Sequence, residues 1–178
     1  MKTEDIVVLV NDKDEVLGLK EKIQAHREGL LHRAFSVFVF DSQSRLLLQR
    51  RSRKKYHSGG LWANTCCSHP REGETYLEGA HRRLREEMGM TCNLVHAFYF
   101  IYEASLDNGL REHELDHVFI GYSDKDPIIN TNEVDSFKWI DLRELKVNIA
   151  QKPEQYAIWF RIIFEKYRRY IDRQTDSR

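Results

Sequence analysis

The sequence is poor in proline and cysteine, carries no excess of either charge, and has no long apolar run. It holds 3 Pro, 9 Gly and 3 Cys in 178 residues. With no Pro/Gly/Ser-rich tract, repeat or low-complexity stretch, nothing reads as a linker, and residues 1–178 are expected to form one domain. Cys66, Cys67 and Cys92 are an odd number of thiols, and the first two are adjacent, a spacing that rarely bridges. The N-terminal Met1-Lys2-Thr3-Glu4-Asp5 lacks a cleavage site of small residues, and the C-terminal Thr175-Asp176-Ser177-Arg178 lacks a peroxisomal tripeptide. Free thiols without an export signal point to a reducing cytoplasm. No apolar run approaches the ~18–20 residues of a membrane span, which argues against a membrane partner. Lys and Arg number 28, as do Asp and Glu. A general nucleic-acid binder is usually basic overall, so that partner class is not expected. A local basic cluster can still hold a small anion.

What is present suits a soluble globular chain, with 41% hydrophobic and 31% charged residues. Ile6–Val10 and Val16–Leu19 read as strands around a turn, and Lys20–Leu31 as loop or short helix. Ala34–Phe40 and Arg45–Arg50 read as a hairpin across Asp41-Ser42-Gln43-Ser44. Arg51–Gly60 is a basic loop and Leu61–Cys67 is extended. The capping box Thr75-x-x-Glu78, the terminal Gly89, and Leu77, Ala80, Leu84 and Met88 at helical spacing predict a helix over 76–88. Cys92–Ala104, Glu112–Tyr122 and Ser136–Ile140 read as strands, and Asp141 as a helix cap. Pro153 suits the first turn of a last helix with an apolar stripe of Tyr156, Trp159, Phe160, Ile163, Tyr167, Tyr170 and Ile171. The fold class expected is α/β (α+β), a mixed sheet with helices on its faces.

Five groups of residues carry possible chemistry. Glu112 and Glu114 share one face of a strand. With His26, His32 and His69 they would make a mixed N/O shell suited to a divalent transition metal. The plainer alternative is a solvated strand and exposed histidines. Cys67 and His69 share a face of an extended segment, where a nearby metal or imidazolium would tune the thiol to trade protons near neutral pH; Cys66 faces the other way, into the core. On the 76–88 helix, Arg82–Glu86 and Arg83–Glu87 are spaced as surface ion pairs. Their order opposes the helix dipole, and the alternative is a carboxylate for Mg²⁺ beside an arginine for phosphate. The loop Arg50-Arg51-Ser52-Arg53-Lys54-Lys55, with Lys22, is either a solvated turn or a diphosphate seat. Tyr102, Trp62 and Trp159 are core residues, or a face against which a carbocation is stabilised.

Taken in order, these segments resemble the type I isopentenyl diphosphate isomerases. The resemblance rests on Asn64–Pro70 with Cys67-Ser68-His69-Pro70 at its end, Gly73-Glu74, Arg82-Arg83 and Glu87-x-Gly89. It rests also on His26 before Leu31-His32, Arg50-Arg51 with Lys54-Lys55, Glu112-x-Glu114, and Pro153 followed by Trp159. It implies a Nudix-type fold, a mixed sheet sandwiched between helices. The Nudix box is damaged: Ser68 replaces its leading glycine and Arg83 a glutamate, a change that suits holding a diphosphate intact better than cleaving it. The resemblance implies Cys67 and Glu114 as the catalytic pair, with Tyr102 assisting the glutamate. It implies a metal site of His26, His32, His69, Glu112 and Glu114 for Mn²⁺, Mg²⁺ or Zn²⁺. A second Mg²⁺, bound with the substrate diphosphate, would lie on Glu87 and the Cys67 carbonyl. Lys22, Arg51, Lys55 and Arg83 would contact the diphosphate, and Trp159 the hydrocarbon. His26 and His32 are six apart, one residue closer than in the bacterial pattern, so His57 is an alternative first ligand. The implied substrate is isopentenyl diphosphate and the implied state a monomer. A Nudix hydrolase of a nucleoside diphosphate derivative, or an inactive metal-binding module, are the competing readings.

Overall fold

A computed structural model describes residues 6–176, without the side chains of 168, 169 and 171–176. Met1–Asp5, Ser177, Arg178 and the Ile171 side chain, on which parts of the terminal and stripe readings rest, lie outside the described residues. The elements in order are β1 (Ile6–Val10), β2 (Val16–Glu21), α1 (Lys22–Glu28), β3 (His32–Phe40), β4 (Leu46–Arg51), β5 (Trp62–Ala63), β6 (Cys66–Ser68), α2 (Tyr76–Met88), β7 (Leu94–Ser105), β8 (Arg111–Tyr122), β9 (Val134–Ile140), α3 (Leu142–Gln151) and α4 (Ile158–Asp176). Among the described residues no helix is long and apolar enough to cross a membrane.

The nine strands among the described residues join one mixed sheet. β3 is its centre, parallel to β8 from His32↔Glu114 to Phe40↔Tyr122 and antiparallel to β6 through Ser36↔Cys67. Period-two alternation gives β3 two buried faces. Phe35, Val37 and Val39 pack with Cys66, Ala80, Leu84 and Met88 beneath α2. Phe38 and Phe40 pack with Val118, Ile120, Phe160 and Ile163 beneath α4. The sheet is thus held between helices.

Helix α2 begins with Thr75, whose side chain accepts from the Glu78 N–H while the Glu78 carboxylate accepts from the Thr75 N–H; it ends at Gly89 with φ 60°. Asp141 caps α3 by accepting from the Arg143 and Glu144 N–H groups.

Two expectations are corrected. The 34–50 hairpin closes only at its tip, where Phe40 pairs Leu46. Beyond it the strands part, because the 62–68 segment lies between them, with β6 paired to β3 and β5 to β4, while β8 and β9 take their outer edges. Pro153 opens a separate 3-10 turn, Pro153–Gln155, and α4 starts later, at Ile158. Tyr156 is therefore outside the helix, buried beside the Trp62 strand, with the Ala157 N–H donating to the Trp62 carbonyl at 2.9 Å.

Candidate active site

The α4-side face of the sheet is apolar at one end and polar at the other. On β3 it runs from Phe38 to Ser36 and His32, and on β8 from Val118 to Asp116, Glu114 and Glu112. Strand β6 lays Cys67 beside Ser36, while the β3–β8 register sets Glu114 beside His32 on the other flank of β3. Cys67 and Glu114 line the same open cavity of about 530 Å³, with Glu112, His57, His69 and Trp159. The expected convergence of thiol and carboxyl is present.

His26 and His32 are fully buried, against the expectation of exposure for a polar segment. Glu21 caps α1 from its first residues and Gly29 ends it at φ 65°, and this single short helix turns His26 inward. Nδ1 of His26 donates to the Lys22 carbonyl and Nδ1 of His32 to the Leu30 carbonyl, both at 2.7 Å. That tautomer leaves each Nε2 lone pair aimed at the site. Both Nε2 atoms are buried without a hydrogen-bond partner. His69 Nε2 donates to Glu114 Oε1 at 3.0 Å, and His32 Nε2 lies 3.5 Å from the same oxygen. One donor atom from each of His26, His32, His69 and Glu114 falls within 4.8 Å of the others. Orphaned buried lone pairs are costly, and a divalent cation with imidazole and carboxylate ligands resolves them. The residues therefore fit a metal. The five-residue shell divides, however: Glu112 groups with His26 and with His57, the alternative ligand.

Tyr102 does not line the cavity. It stands behind the paired glutamates, its hydroxyl 2.7 Å from Glu114 Oε2 and 3.0 Å from Glu112 Oε2. A phenol has one proton to give. Burial, and then the neighbouring Glu114 charge, push Glu112 well above the usual carboxylate range. Burial opposes ionisation of Glu114 too, yet contacts from His32 and His69 outweigh it and hold Glu114 well below that range. The consistent arrangement is a chain in which protonated Glu112 donates to Tyr102 and Tyr102 donates to ionised Glu114. His69 itself is pushed down to about 3, chiefly by burial, so it donates as a neutral imidazole.

On the other flank, Cys66 is buried under α2 and Cys67 faces the cavity, as the alternation requires. Burial pushes the proton affinity of the Cys67 thiol far up; Arg51 opposes this, and Glu87 and Glu112 reinforce it, so the thiol is neutral in these surroundings. Trp159 is 3% exposed, donates from Nε1 to Asn64 Oδ1 at 3.3 Å, and has the Arg51 guanidinium 4.9 Å from its ring.

Lys22, Arg51, Lys55 and Arg83 all line the cavity together with Glu87. Both ion pairs expected on α2 form: Arg82 lies 3.3 Å from Glu86, and Arg83 contacts Glu87 and, at 2.8 Å, Glu86. The cavity opens into a basic vestibule of about 890 Å³ that also takes in Lys54, Arg71 and Arg82. Sequence reasoning missed Gln49, whose side-chain amide donates to Glu87 at 2.9 Å, Glu133, which contacts Lys55 and Arg83, and Tyr56 over Lys22. Nothing in local spacing marks them, because each is brought in by long-range pairing.

The NUDIX domain model matches residues 30–161. Isopentenyl-diphosphate Delta-isomerase 2 of Aromatoleum aromaticum is 55% identical over 156 residues, 88% of this chain and 82% of the relative. Isopentenyl-diphosphate Delta-isomerase 2 of Photorhabdus laumondii is 52% identical over 160 residues, 90% of each chain. The crystal structure of a Deinococcus radiodurans protein aligns with a TM-score of 0.75 at 23% identity, covering 91% of this chain and 99% of that one, and is similar in fold.

Proposed function

Given that the chain belongs to the isopentenyl-diphosphate Delta-isomerases, built on the NUDIX domain, we propose that its cavity interconverts isopentenyl and dimethylallyl diphosphate by proton transfer on two faces of the alkene. The enzyme is an isomerase, and its substrate is a small molecule. The observation that carries the mechanism is the shared cavity with Cys67 on one flank of β3 and Glu114 on the other.

One group protonates the terminal alkene carbon, giving a tertiary cation, and the opposite group removes a proton from the carbon nearer the diphosphate. Alkenes are weak bases, so the donor must act in a water-poor site. Glu114 is our donor, recharged from Glu112 through Tyr102. Cys67 is the acceptor once its thiol proton has passed to solvent through the open cavity; its ionised form is a strong base, and Arg51 is the charge that favours that form. Without recharging, neutral Cys67 and ionised Glu114 are set to run the exchange in the reverse sense. Tyr102 touches no substrate and acts as a positioning residue. The Trp159 face lies over the hydrocarbon and excludes water, which would trap the cation as an alcohol.

Lys22, Arg51, Lys55 and Arg83 anchor the diphosphate and fix the alkene between donor and acceptor. His26, His32, His69 and Glu114, with Glu112 beside them, would hold one divalent cation (Mn²⁺, Mg²⁺ or Zn²⁺), and Glu87 with the Cys67 carbonyl a second, Mg²⁺. Such ions supply fixed positive charge that orients carboxylates and neutralises phosphate oxygens. Pairing of Glu86 and Glu133 with Arg83 disfavours the hydrolase reading, since it neutralises carboxylates that a hydrolytic metal cluster would need. The same reading takes the chain as a single-domain, monomeric, cytoplasmic enzyme.

Isopentenyl diphosphate and Mg²⁺ should yield an acid-labile allylic product with no phosphate release. Cys67→Ala and Glu114→Gln should each abolish deuterium incorporation from heavy water, and full turnover by either sinks the assignment.

A further inference from the structure

Six cationic side chains line the vestibule: Lys22, Lys54, Lys55, Arg71, Arg82 and Arg83. Among the described lining residues Glu133 alone is acidic. Its carboxylate contacts the Lys55 ammonium through Oε2, and the same oxygen accepts from Arg83 at 3.1 Å. Those two cations also line the inner cavity, so they stand where it meets the vestibule. Each is also near Glu87, with Lys55 Nζ 3.8 Å from Oε1. Glu87 is locked by Gln49 and almost wholly buried, whereas the Glu133 side chain is 28% exposed. The Glu133 backbone is fixed independently of its carboxylate. Its N–H donates to the Asn130 carbonyl at 2.9 Å, and its own carbonyl accepts from the Ser52 N–H at 3.0 Å. The carboxylate can therefore turn to solvent without moving the strand that follows.

We propose that Glu133 is a built-in counter-anion seated on Lys55 and Arg83, and that a diphosphate enters only by displacing it. The inference rests on the diphosphate anchor given above and adds a specificity element to it. A weakly charged anion does not repay the lost contacts, while a diphosphate brings more charge and more acceptor oxygens to the same two cations. Glu133 thus sets the affinity threshold of the seat, and it adds to Glu87 a second negative charge against two clustered cations when no ligand is bound.

The test is calorimetric titration of chelator-treated protein with inorganic diphosphate at fixed ionic strength, for the wild-type chain and for Glu133→Gln. A partly exposed ion pair is worth up to about 1 kcal/mol, so the variant should bind diphosphate about fivefold tighter. KM for the prenyl substrate should fall in the same proportion. Glu133→Ala should move affinity the same way, which separates displacement from a positioning role, in which loss of the carboxylate would let Lys55 and Arg83 drift and weaken binding. Diphosphate binding by the wild-type chain that neither variant tightens, or that both weaken, overturns the role of Glu133 and leaves the isomerase reading intact. No diphosphate binding by any of the three proteins removes the anchor itself, and this inference with it.

Discussion

Tyr102→Phe isolates the proton chain. The substitution deletes one oxygen and keeps the ring, which stacks on Phe100 at a centroid distance of 5.4 Å. Lost with it are the 2.7 Å contact to Glu114 and the 3.0 Å contact to Glu112. Only the first reaches an ionised partner, and a hydrogen bond to a buried charge is worth about 1.5–3 kcal/mol. The variant should therefore fold with a modest loss of stability. The kinetic cost should be larger. With no bridge, Glu112 cannot recharge Glu114, and positioned general acids contribute about 10²–10⁴ in rate. We expect kcat to fall by about that factor while KM, set by Lys22, Arg51, Lys55 and Arg83, stays within about twofold. The assay is deuterium incorporation from heavy water with a parallel measurement of allylic product. If kcat falls by less than about threefold, Glu114 is not supplied through Tyr102, and neutral Cys67 becomes the donor.

Further outcomes follow from the same geometry. Chelator-treated protein given back Zn²⁺ or Mn²⁺ should melt higher, by about 2.7 kcal/mol of stabilisation at a hundredfold excess over Kd, and His32→Ala should lose both the shift and the bound metal measured by elemental analysis. An unchanged metal content in that variant counts against the site. Gly79→Ala should lower the melting temperature although alanine favours helix by ~1 kcal/mol. A Cβ there would lie 2.9 Å from Phe35 Cε1 and 3.1 Å from Pro70 Cα, an overpacking cost of about 1–3 kcal/mol. A higher melting temperature would mean the two neighbours yield freely. Metal-free protein should lose stability as pH falls from 6.5. Burial depresses His117 to about 4 and His69 to about 3, so the unfolded chain binds protons first, and stability present above 6.5 drains away through that window. Melting temperatures that hold or rise from pH 7 to pH 4.5 contradict this.

Local chemistry was legible in the sequence where it is local in the fold. The capping box and Gly89 placed α2 correctly, and alternation separated Cys66 from Cys67 and paired Glu112 with Glu114. Long-range pairing was not legible. Nothing near Ala34–Phe40 announces that the 62–68 segment will lie between it and β4, so the sequence reads as an ordinary hairpin where β3 and β4 separate. His26 sits among polar residues, and it is the rings of His32, Tyr56, His57 and His69, from distant segments, that close around it. Glu133 and Gln49 act on Lys55, Arg83 and Glu87 from positions distant in sequence, and no spacing rule reaches them. The burial around the thiol is equally non-local: it raises the proton affinity of Cys67 and lowers that of the neighbouring His69.

The in-register partnership of His32 with Glu114 also bears on how the chain matures. The candidate cation ligands come from α1, β3, the stretch after β6 and β8, so no early fragment emerging from synthesis can assemble the clasp. Parallel partnership between such remote segments is entropically late and slow to form. An ion held there would report a completed fold, because its ligands meet only after that partnership has formed.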